Sequence, residues 1–172
     1  GRVVAAGCRD GRVVMWEAAS GKCVATRSLH GSCVHGIAFH PAREGCMASA
    51  SKDRSVKVWE LKTGSEQYTA DLLLTLKGHT DQVLSVAWDM QGNRLASSGD
   101  DGIVIVWDGD GSKLAKLEGH GLKVPSVAWN PRDDGTLASG GWDNNVILWK
   151  EKAESAEEEP AGKRRRPGRV RE

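Results

Sequence analysis

Serine, histidine and aspartate, the side chains of a hydrolytic triad, recur together in this chain at fixed spacing. Four times an aspartate stands six residues before a tryptophan, and in the last three copies a serine stands four residues before the aspartate and a histidine lies upstream. In a hydrolase such a serine attacks a carbonyl, the histidine takes its proton and the aspartate orients the histidine. The three sets are His30, Ser49, Asp53 and Trp59; His79, Ser97, Asp101 and Trp107; and His120, Ser139, Asp143 and Trp149.

The repetition argues against catalysis. A catalytic triad occurs once, with an exposed nucleophile and an oxyanion hole, and the chain contains no G-x-S-x-G segment. Buried polar side chains are costly unless they satisfy one another, and the tryptophan indole supplies a further N–H donor. We therefore interpret each set as a structural hydrogen-bond network, and keep a hydrolase only as an alternative that labelling by an active-site serine probe would reveal.

The segments that carry these residues predict β-hairpins in a repeat protein. Four copies end on tryptophans 43, 48 and 42 residues apart: VVAAGCRDGRVVMW, CMASASKDRSVKVW, RLASSGDDGIVIVW and TLASGGWDNNVILW. In each, an aspartate-centred turn precedes a run of strand-forming residues. A second block precedes the last three copies as HGSCVHGIAF, HTDQVLSVAW and HGLKVPSVAW. Two matched blocks with a period near 43 indicate a repeat architecture.

With these blocks, residues 3–150 resemble the WD40 repeat family. The chain has the Gly-His pairs Gly78-His79 and Gly119-His120, Leu29 precedes His30, and only Trp107-Asp108 is a literal Trp-Asp pair. The resemblance implies an all-β fold of WD40-type β-propeller blades, each a four-stranded antiparallel sheet, and it identifies each set as the family's structural tetrad. The first copy departs from the pattern, with Ala6 in place of the serine and no upstream histidine.

The repeats divide residues 1–150 into a partial blade at 1–31 and blades at 32–79, 80–120 and 121–150. Because this is about three and a half blades and propellers close with about four to eight, we expect an incomplete propeller. An open arc exposes strand edges, so the chain is expected either to be part of a longer protein that supplies the missing blades or to pair with a second copy of itself.

Composition restricts the classes of function. The formal net charge is +1, and residues 1–150 carry as many acidic as basic side chains, so no chain-wide attraction to nucleic acid is expected. We find no phosphate-binding glycine motif and no spacing of metal ligands, and therefore expect no cofactor and no metal. The absence of a long apolar run or signal peptide predicts an intracellular protein with no membrane contact, and cytoplasm and nucleus are both open as locations. We expect Cys8, Cys23, Cys33 and Cys46 to be reduced thiols, buried or half-buried in strands.

Function is therefore sought on the surface. In proteins that this chain resembles, the loops at one face of the propeller bind partner proteins or peptides, which predicts a scaffold that works as a subunit of a larger complex. Trp142 is the most informative member of the face, with two interpretations: an exposed interface anchor, or a ring that packs over its own hairpin. The residues expected to line this face are Arg9, His35, Lys52, Gln82, Leu84, Asp100, Lys123, Pro125 and Trp142.

Residues 151–172 differ from the rest of the chain in composition. An acidic stretch is followed by a basic one, with prolines at 160 and 167, and this predicts a disordered tail. The basic run Lys163, Arg164, Arg165 and Arg166 is typical of a nuclear-import signal, or of a patch for acidic partners or RNA. Nucleic-acid binding through this tail is the alternative function, and a salt-dependent affinity lost on deleting residues 163 to 171 would favour it.

Overall fold

A computed structural model of the protein describes residues 3–63, 68–132 and 135–150. These residues contain fourteen β-strands. The basic run at 163–166 and the rest of the tail lie outside the described residues. The strands are β1 Val3–Gly7, β2 Arg12–Glu17, β3 Cys23–Ser28, β4 Val34–Phe39, β5 Cys46–Ser51, β6 Ser55–Thr63, β7 Tyr68–Lys77, β8 Val83–Trp88, β9 Arg94–Gly99, β10 Ile103–Asp108, β11 Lys113–Glu118, β12 Ser126–Trp129, β13 Leu137–Gly140 and β14 Val146–Trp149.

The strands form four antiparallel sheets in chain order. The first sheet contains β1–β3, the second β4–β7, the third β8–β11 and the fourth β12–β14. Strands β4, β8 and β12 each begin a sheet, and β8 contacts both of the others, so these three inner strands stand side by side. This is the all-β arrangement of successive propeller blades that the repeats predict, with four strands in each of the two middle sheets and three described strands in each outer one.

Because consecutive strands run in opposite directions, successive loops lie at opposite ends of the sheets and form two groups. The turn β5–β6, the loop β7–β8 and their equivalents in the other sheets lie at one end of the sheets, which we call the tetrad end. The loops β4–β5, β8–β9 and β12–β13 lie at the opposite end, which we call the far end. A partner at one end therefore meets a different set of loops from a partner at the other.

The core lies between neighbouring sheets. Successive residues of a strand point to opposite faces, so in β10 Val104 packs against the fourth sheet while Ile105 packs against the second. The same alternation sends Met47 of β5 toward the first sheet and Ala48 toward the third. Strands covered on both faces need apolar residues on both, which explains the uninterrupted Ile-Val-Ile-Val run before Trp107.

The two outermost faces of the described sheets carry exposed apolar side chains. On β14, Ile147 and Trp149 lie against Gly119 of the third sheet, so Val146 and Leu148 point away, 75% and 70% exposed. At the other end of the arc, Val4 of β1 is 54% exposed. Each of these sheets also ends, among the described residues, on a strand that pairs with a single neighbour. Such faces and edges favour association with further β-structure.

We accordingly predict that the 172-residue chain associates as its concentration rises, because contact between end faces would bury Val146 and Leu148. Light scattering across a concentration series measures this. The double substitution Val146→Lys with Leu148→Lys is expected to reduce the mean mass, whereas Leu114→Lys with Leu122→Lys, which also replaces two exposed leucines, should leave it unchanged. A parent protein that stays monodisperse and monomeric at every concentration would contradict the prediction.

The structure bears on two further expectations, which concern the cysteines and a membrane span. All four cysteines are free, but Cys23 is exposed at the start of β3, so its expected burial was wrong. Cys23 is the first residue of β3, the outer strand of the first sheet, which pairs only with β2 among the described strands. Among the described residues, no helix has the length and apolar character needed to span a bilayer.

Candidate functional site

The third sheet shows how the serine, histidine and aspartate are arranged. His79, in the loop before β8, places Nε2 2.9 Å from Ser97 Oγ of β9 and Nδ1 2.9 Å from Asp101 Oδ2 in the β9–β10 turn. Trp107 of β10 donates its indole N–H to the same Ser97 Oγ at 2.8 Å. The chain of contacts therefore runs from tryptophan through serine and histidine to aspartate, and it ties the loop to β9, to β10 and to the turn between them.

The second and fourth sheets repeat this geometry. In the second, His30 lies 2.7 Å from Ser49 Oγ and 2.8 Å from Asp53 Oδ2, and Trp59 donates to Ser49 at 2.9 Å. In the fourth, His120 lies 2.8 Å from Ser139 Oγ and 3.0 Å from Asp143 Oδ2, and Trp149 donates to Ser139 at 2.8 Å. All twelve side chains assigned to the three tetrads from sequence are brought together in these sets.

The direction of the hydrogen bonds fixes the role of each group. Because an indole N–H only donates, Ser97 Oγ accepts from Trp107, and its own hydroxyl can donate to a neutral His79 Nε2. His79 Nδ1–H then donates to the Asp101 carboxylate. Ser49 and Ser97 are fully buried and Ser139 is 2% exposed. A nucleophile needs access to its substrate, and these hydroxyls have none.

The aspartates also stabilise the turns in which they lie. Asp101 accepts hydrogen bonds from the backbone N–H of Thr80, next to the histidine, and of Ile103, two residues after itself. Asp143 accepts from Gly121 N and Asn145 N in the same way. Side-chain acceptance from the backbone two residues ahead is the hydrogen bond of an Asx turn. Each aspartate therefore both shapes its hairpin and anchors the preceding loop.

The first sheet lacks a complete set. Ala6 replaces the serine, and Asp10 lies at the surface, where it accepts from Arg12 N at 3.1 Å and pairs with Arg12 Nε at 2.7 Å. Asp10 thus retains only the turn-forming role. This agrees with the departure of the first copy from the repeat pattern.

Hydrogen bonding keeps the tetrad aspartates ionised. Although burial raises the pKa of Asp53, hydrogen bonds from Ser55 and His30 lower the pKa to about 2. Burial likewise opposes the shift at Asp143, but backbone N–H donors and His120 lower its pKa to about 2. Burial also lowers the pKa of His30 below 6.5, while Asp53 counteracts this in part. At neutral pH the second-sheet tetrad therefore holds a neutral imidazole and a carboxylate.

These shifts predict that acid destabilises the fold in two steps. A group whose pKa is lower in the folded state than in the unfolded state binds its proton preferentially on unfolding, so its contribution to stability is lost as the pH falls. Protonation of His30, whose pKa is lowered from 6.5, should reduce the stability of the fold below about pH 6.5. Protonation of Asp53, whose folded pKa is about 2, should reduce it further between about pH 4 and pH 2.

Urea unfolding at a series of pH values from neutral to acid measures this dependence. We expect the midpoint to fall throughout, and His30→Gln to flatten the upper part of the curve because Gln does not titrate. Equal midpoints at neutral pH and at pH values near the folded pKa of Asp53 would contradict the assignment.

A second group of polar contacts crosses three sheets at the tetrad end. His35 Nε2 of β4 lies 3.2 Å from Gln82 Oε1, and Gln82 Nε2 donates to Asp100 Oδ2 at 3.0 Å. Asp100 Oδ1 lies 3.5 Å from Lys123 Nζ, which sits 3.9 Å above the centre of the Trp142 ring. We call these five residues, His35, Gln82, Asp100, Lys123 and Trp142, the recognition strip. All five belong to the nine residues expected on the partner-binding face.

The other four expected face residues are not joined to this strip by any side-chain hydrogen bond or ion pair within the described residues. Arg9, Lys52 and Pro125 are exposed, and Leu84 is half-buried. Trp142 is 62% exposed, and its backbone N–H donates to Lys123 O at 2.9 Å. Its ring thus contacts the Lys123 ammonium rather than the core, and one side of a large apolar surface remains open to solvent.

Sequence reasoning missed a group of residues at the far end. Phe39, Trp88 and Trp129 end the three inner strands, and together with the loops that follow they line a cavity of about 390 Å³. The signal was present, since each of the three repeated HGSCVHGIAF-type blocks ends on an aromatic residue. No cluster of three or more metal-ligating side chains occurs at either end within the residues that the structure describes.

Comparison with known proteins identifies the repeats. A sequence model of the WD domain, G-beta repeat matches residues 21–60, 70–108 and 111–150. Each match begins before or within the outer strand of one sheet and ends in the next sheet, within β6, at the last residue of β10 or directly after β14. One repeat therefore contains all four members of one tetrad while linking two adjacent sheets.

Curated proteins of several kinds share these repeats. The ribosome biogenesis protein WDR12 homolog of Chlamydomonas reinhardtii is 33% identical over 86% of this chain. Coronin-7 of Mus musculus is 35% identical over 67% of it, and the B-type cell cycle switch protein ccs52A of Medicago truncatula is 29% identical over 87%. The chain spans 40%, 12% and 30% of the length of these relatives, respectively.

Proposed function

Because this chain belongs to the WD40 repeat family, we propose that it is a non-catalytic scaffold that binds partner proteins through the recognition strip, as a subunit of a larger complex. The observation that carries the proposal is the exposure of Trp142, 62%, at the end of a chain of polar contacts that crosses three sheets. Binding surfaces concentrate their energy in a few aromatic and charged residues of this kind.

Pre-organisation supports the strip as the binding surface. Gln82 is held by His35 on one side and by Asp100 on the other, and Asp100 holds the Lys123 ammonium near the Trp142 ring. Side chains already fixed in one conformation lose little entropy when a partner binds. The cation below the ring also leaves its opposite side available for an apolar or aromatic side chain of the partner.

The burial of the tetrad serines supports a non-catalytic role. Each serine hydroxyl is used within its sheet, and the same geometry occurs three times. A general active-site serine probe should therefore leave all serines of the folded protein unlabelled. Labelling of Ser49, Ser97 or Ser139 would instead favour the hydrolase.

The relatives suggest the setting in which such a scaffold works. Their names include ribosome biogenesis and a cell cycle switch, which are processes inside the cell. We accordingly place this chain in an intracellular complex. Import into the nucleus, or RNA binding, through Lys163–Arg166 stays a prediction, since those residues lie outside the described part of the chain.

Affinity capture from cell extract, followed by a binding measurement on a recombinant captured partner, tests the proposal. Trp142→Ala should weaken binding by about 30-fold or more, the effect of losing a binding hot spot of roughly 2 kcal/mol. Leu114→Ala is the matched control, because it removes another exposed apolar side chain, 52% exposed, on an outer strand. Equal affinities of the parent and the Trp142→Ala variant would refute the strip as the site.

A further inference from the structure

Five cationic side chains at the tetrad end of the first two sheets form no ion pair with any described carboxylate. In the third and fourth sheets, by contrast, Lys116 is paired with Glu118 and Lys123 with Asp100. Four of the five are exposed and the fifth, Lys57, is half-buried. We call them the cationic cluster: Arg9 in the β1–β2 turn, Lys52 and Arg54 in the β5–β6 turn, Lys57 on β6 and Lys77 at the end of β7.

The loop between β3 and β4 joins the turns that carry Arg9 and Lys52. Val34 N, directly after this loop, donates to the backbone oxygen of Cys8, the residue before Arg9, at 3.0 Å. Lys52 N donates to the backbone oxygen of Cys33 at 2.8 Å. The two turns therefore bind neighbouring peptide groups of one short segment, and their cations flank it.

The remaining cations of the cluster lie on the second sheet. Lys57 Nζ donates to Leu29 O of the same loop at 3.0 Å. Lys77 pairs with Ser55 in the antiparallel register, and Ser55 directly follows Arg54. Because residues two apart on a strand share a face, Lys57 and Lys77 are diagonal neighbours across β6 and β7. The cluster is thus one surface that frames the loop.

The acidic side chains of this region do not neutralise the cluster. Asp10 is paired with Arg12 at 2.7 Å, and Asp53 lies 2.8 Å from His30 Nδ1 within its tetrad. Asp81, in the β7–β8 loop, is exposed and forms no ion pair with a described residue. Positive charge is therefore concentrated here, although the formal net charge of the whole chain is only +1.

Arg54 has a backbone conformation that its residue type disfavours. Its φ is +68°, and the other three residues that directly follow a turn aspartate with positive φ are Gly11, Gly102 and Asn144. Glycine has no Cβ to clash in this conformation and asparagine tolerates it, whereas arginine has neither advantage. Residues held in disfavoured backbone conformations cluster at functional sites. The arginine at this position therefore favours a role for its exposed charge.

The chemistry of the cluster favours a carboxylate-rich polypeptide over a nucleic acid. The guanidinium groups of Arg9 and Arg54 present planar pairs of N–H donors, which match the two oxygens of a carboxylate. Sites for single-stranded nucleic acids combine cations with exposed aromatic side chains on which the bases stack. Among the described residues, no exposed large apolar side chain belongs to these two turns or to the loop that they flank.

We propose that the cationic cluster binds a segment of a partner protein that is rich in aspartate and glutamate. Arg9 and Lys52 are two of the expected face residues that the recognition strip does not include. The cluster lies on the first two sheets and shares no residue with the strip, so the two surfaces bind independently of each other.

Titration of the intact 172-residue chain with a short oligoglutamate peptide tests the proposal, and oligoglutamine of the same length is the uncharged control. The backbone amide resonances of Gly31 and Arg54 are followed by NMR, because they report on the loop and the turn rather than on the basic run at 163–166. We expect saturable shifts of both signals with oligoglutamate, an affinity that falls as the salt concentration rises, and no shift with oligoglutamine.

Matched substitutions locate the contact, with the affinity measured on the Gly31 resonance. Lys52→Gln should lower the affinity for oligoglutamate by about twofold to fivefold, the effect of losing one exposed ion pair. Lys22→Gln removes the same charge from an exposed lysine in the β2–β3 loop, at the far end, and should leave the affinity unchanged. Arg54→Gly should weaken binding by a similar factor without lowering the melting temperature, because glycine relieves the positive φ.

Three results would overturn the proposal. The first is the absence of a saturable shift at Gly31, and the second is an equal affinity of the Lys22→Gln and Lys52→Gln variants. The third is tighter binding of single-stranded oligothymidylate than of oligoglutamate, weakened by the same substitutions, which would assign the cluster to a nucleic acid. Trp142→Ala should leave the affinity for oligoglutamate unchanged, so failure of the cluster and failure of the recognition strip are distinguishable.

Discussion

Replacing His79 with alanine is expected to lower the free energy of unfolding by about 3 kcal/mol. The substitution removes the acceptor of the buried Ser97 hydroxyl and one of the donors to Asp101 Oδ2, and it leaves a cavity where the imidazole, 8% exposed, was packed. Unpaired buried groups account for about 1 to 3 kcal/mol, and the cavity adds to this. Chemical denaturation of the purified variant measures the change.

Two substitutions serve as controls for His79→Ala. His35→Ala removes the same side-chain type from an exposed position on β4, so it should have a small effect on stability. Asp10 occupies the tetrad position of the first sheet, which has no complete tetrad. Asp10→Ala should therefore lower the free energy of unfolding much less than Asp101→Ala does. If His79→Ala unfolded at the same denaturant concentration as the parent, the network would not contribute to stability.

Alanine at Gly11 is expected to be at least as destabilising, about 3 kcal/mol or more. Gly11 has a φ of +86°, and a Cβ added there would lie 2.2 Å from the backbone oxygen of His30. Gly11 O also accepts from Leu29 N and His30 N, so the contact holds the first sheet against the loop that carries the second-sheet tetrad. A clash with backbone cannot be relieved by rotating a side chain, and separating the two segments would break these bonds.

Gly21→Ala is the matched control for this prediction. Gly21 also has a positive φ, +69°, but an added Cβ would meet nothing within 4 Å. Its substitution should cost only the conformational penalty of about 1 to 2 kcal/mol. Thermal melting of the two variants compares them directly. Equal losses in both would mean that the approach of Gly11 to His30 does not contribute to stability.

The tetrads could be predicted from sequence because each is encoded within a single repeat. The spacing between Asp101 and Trp107 follows from a short turn and one strand, and the aspartate is also required by that turn. The histidine comes from the loop before the same sheet, so all four residues recur together with one period. Local chain geometry alone therefore brings such residues within hydrogen-bond distance of one another.

The recognition strip could be predicted only in part. The nine face residues are predicted from their positions beside the turn aspartates and around the entry of the first strand of each blade, and five of them are connected by contacts. Those contacts join residues of different repeats, with His35 and Gln82 47 positions apart in the chain. Their formation depends on how closely adjacent sheets approach, and the repeat pattern does not determine that distance.

The surroundings of the tryptophans at the far-end cavity are a second feature that the repeat pattern does not determine. Trp88 and Trp129 occupy equivalent positions in two repeats, yet one indole finds a carbonyl of the neighbouring strand and the other packs against His40. The repeat, the strands, the side of each strand that a residue faces and the partners within each tetrad all depend on short-range geometry, so they can be predicted from the amino-acid sequence. Which surface residues meet across sheets, and which buried polar atoms lack partners among the described residues, depends on the packing of side chains between sheets and requires the three-dimensional structure.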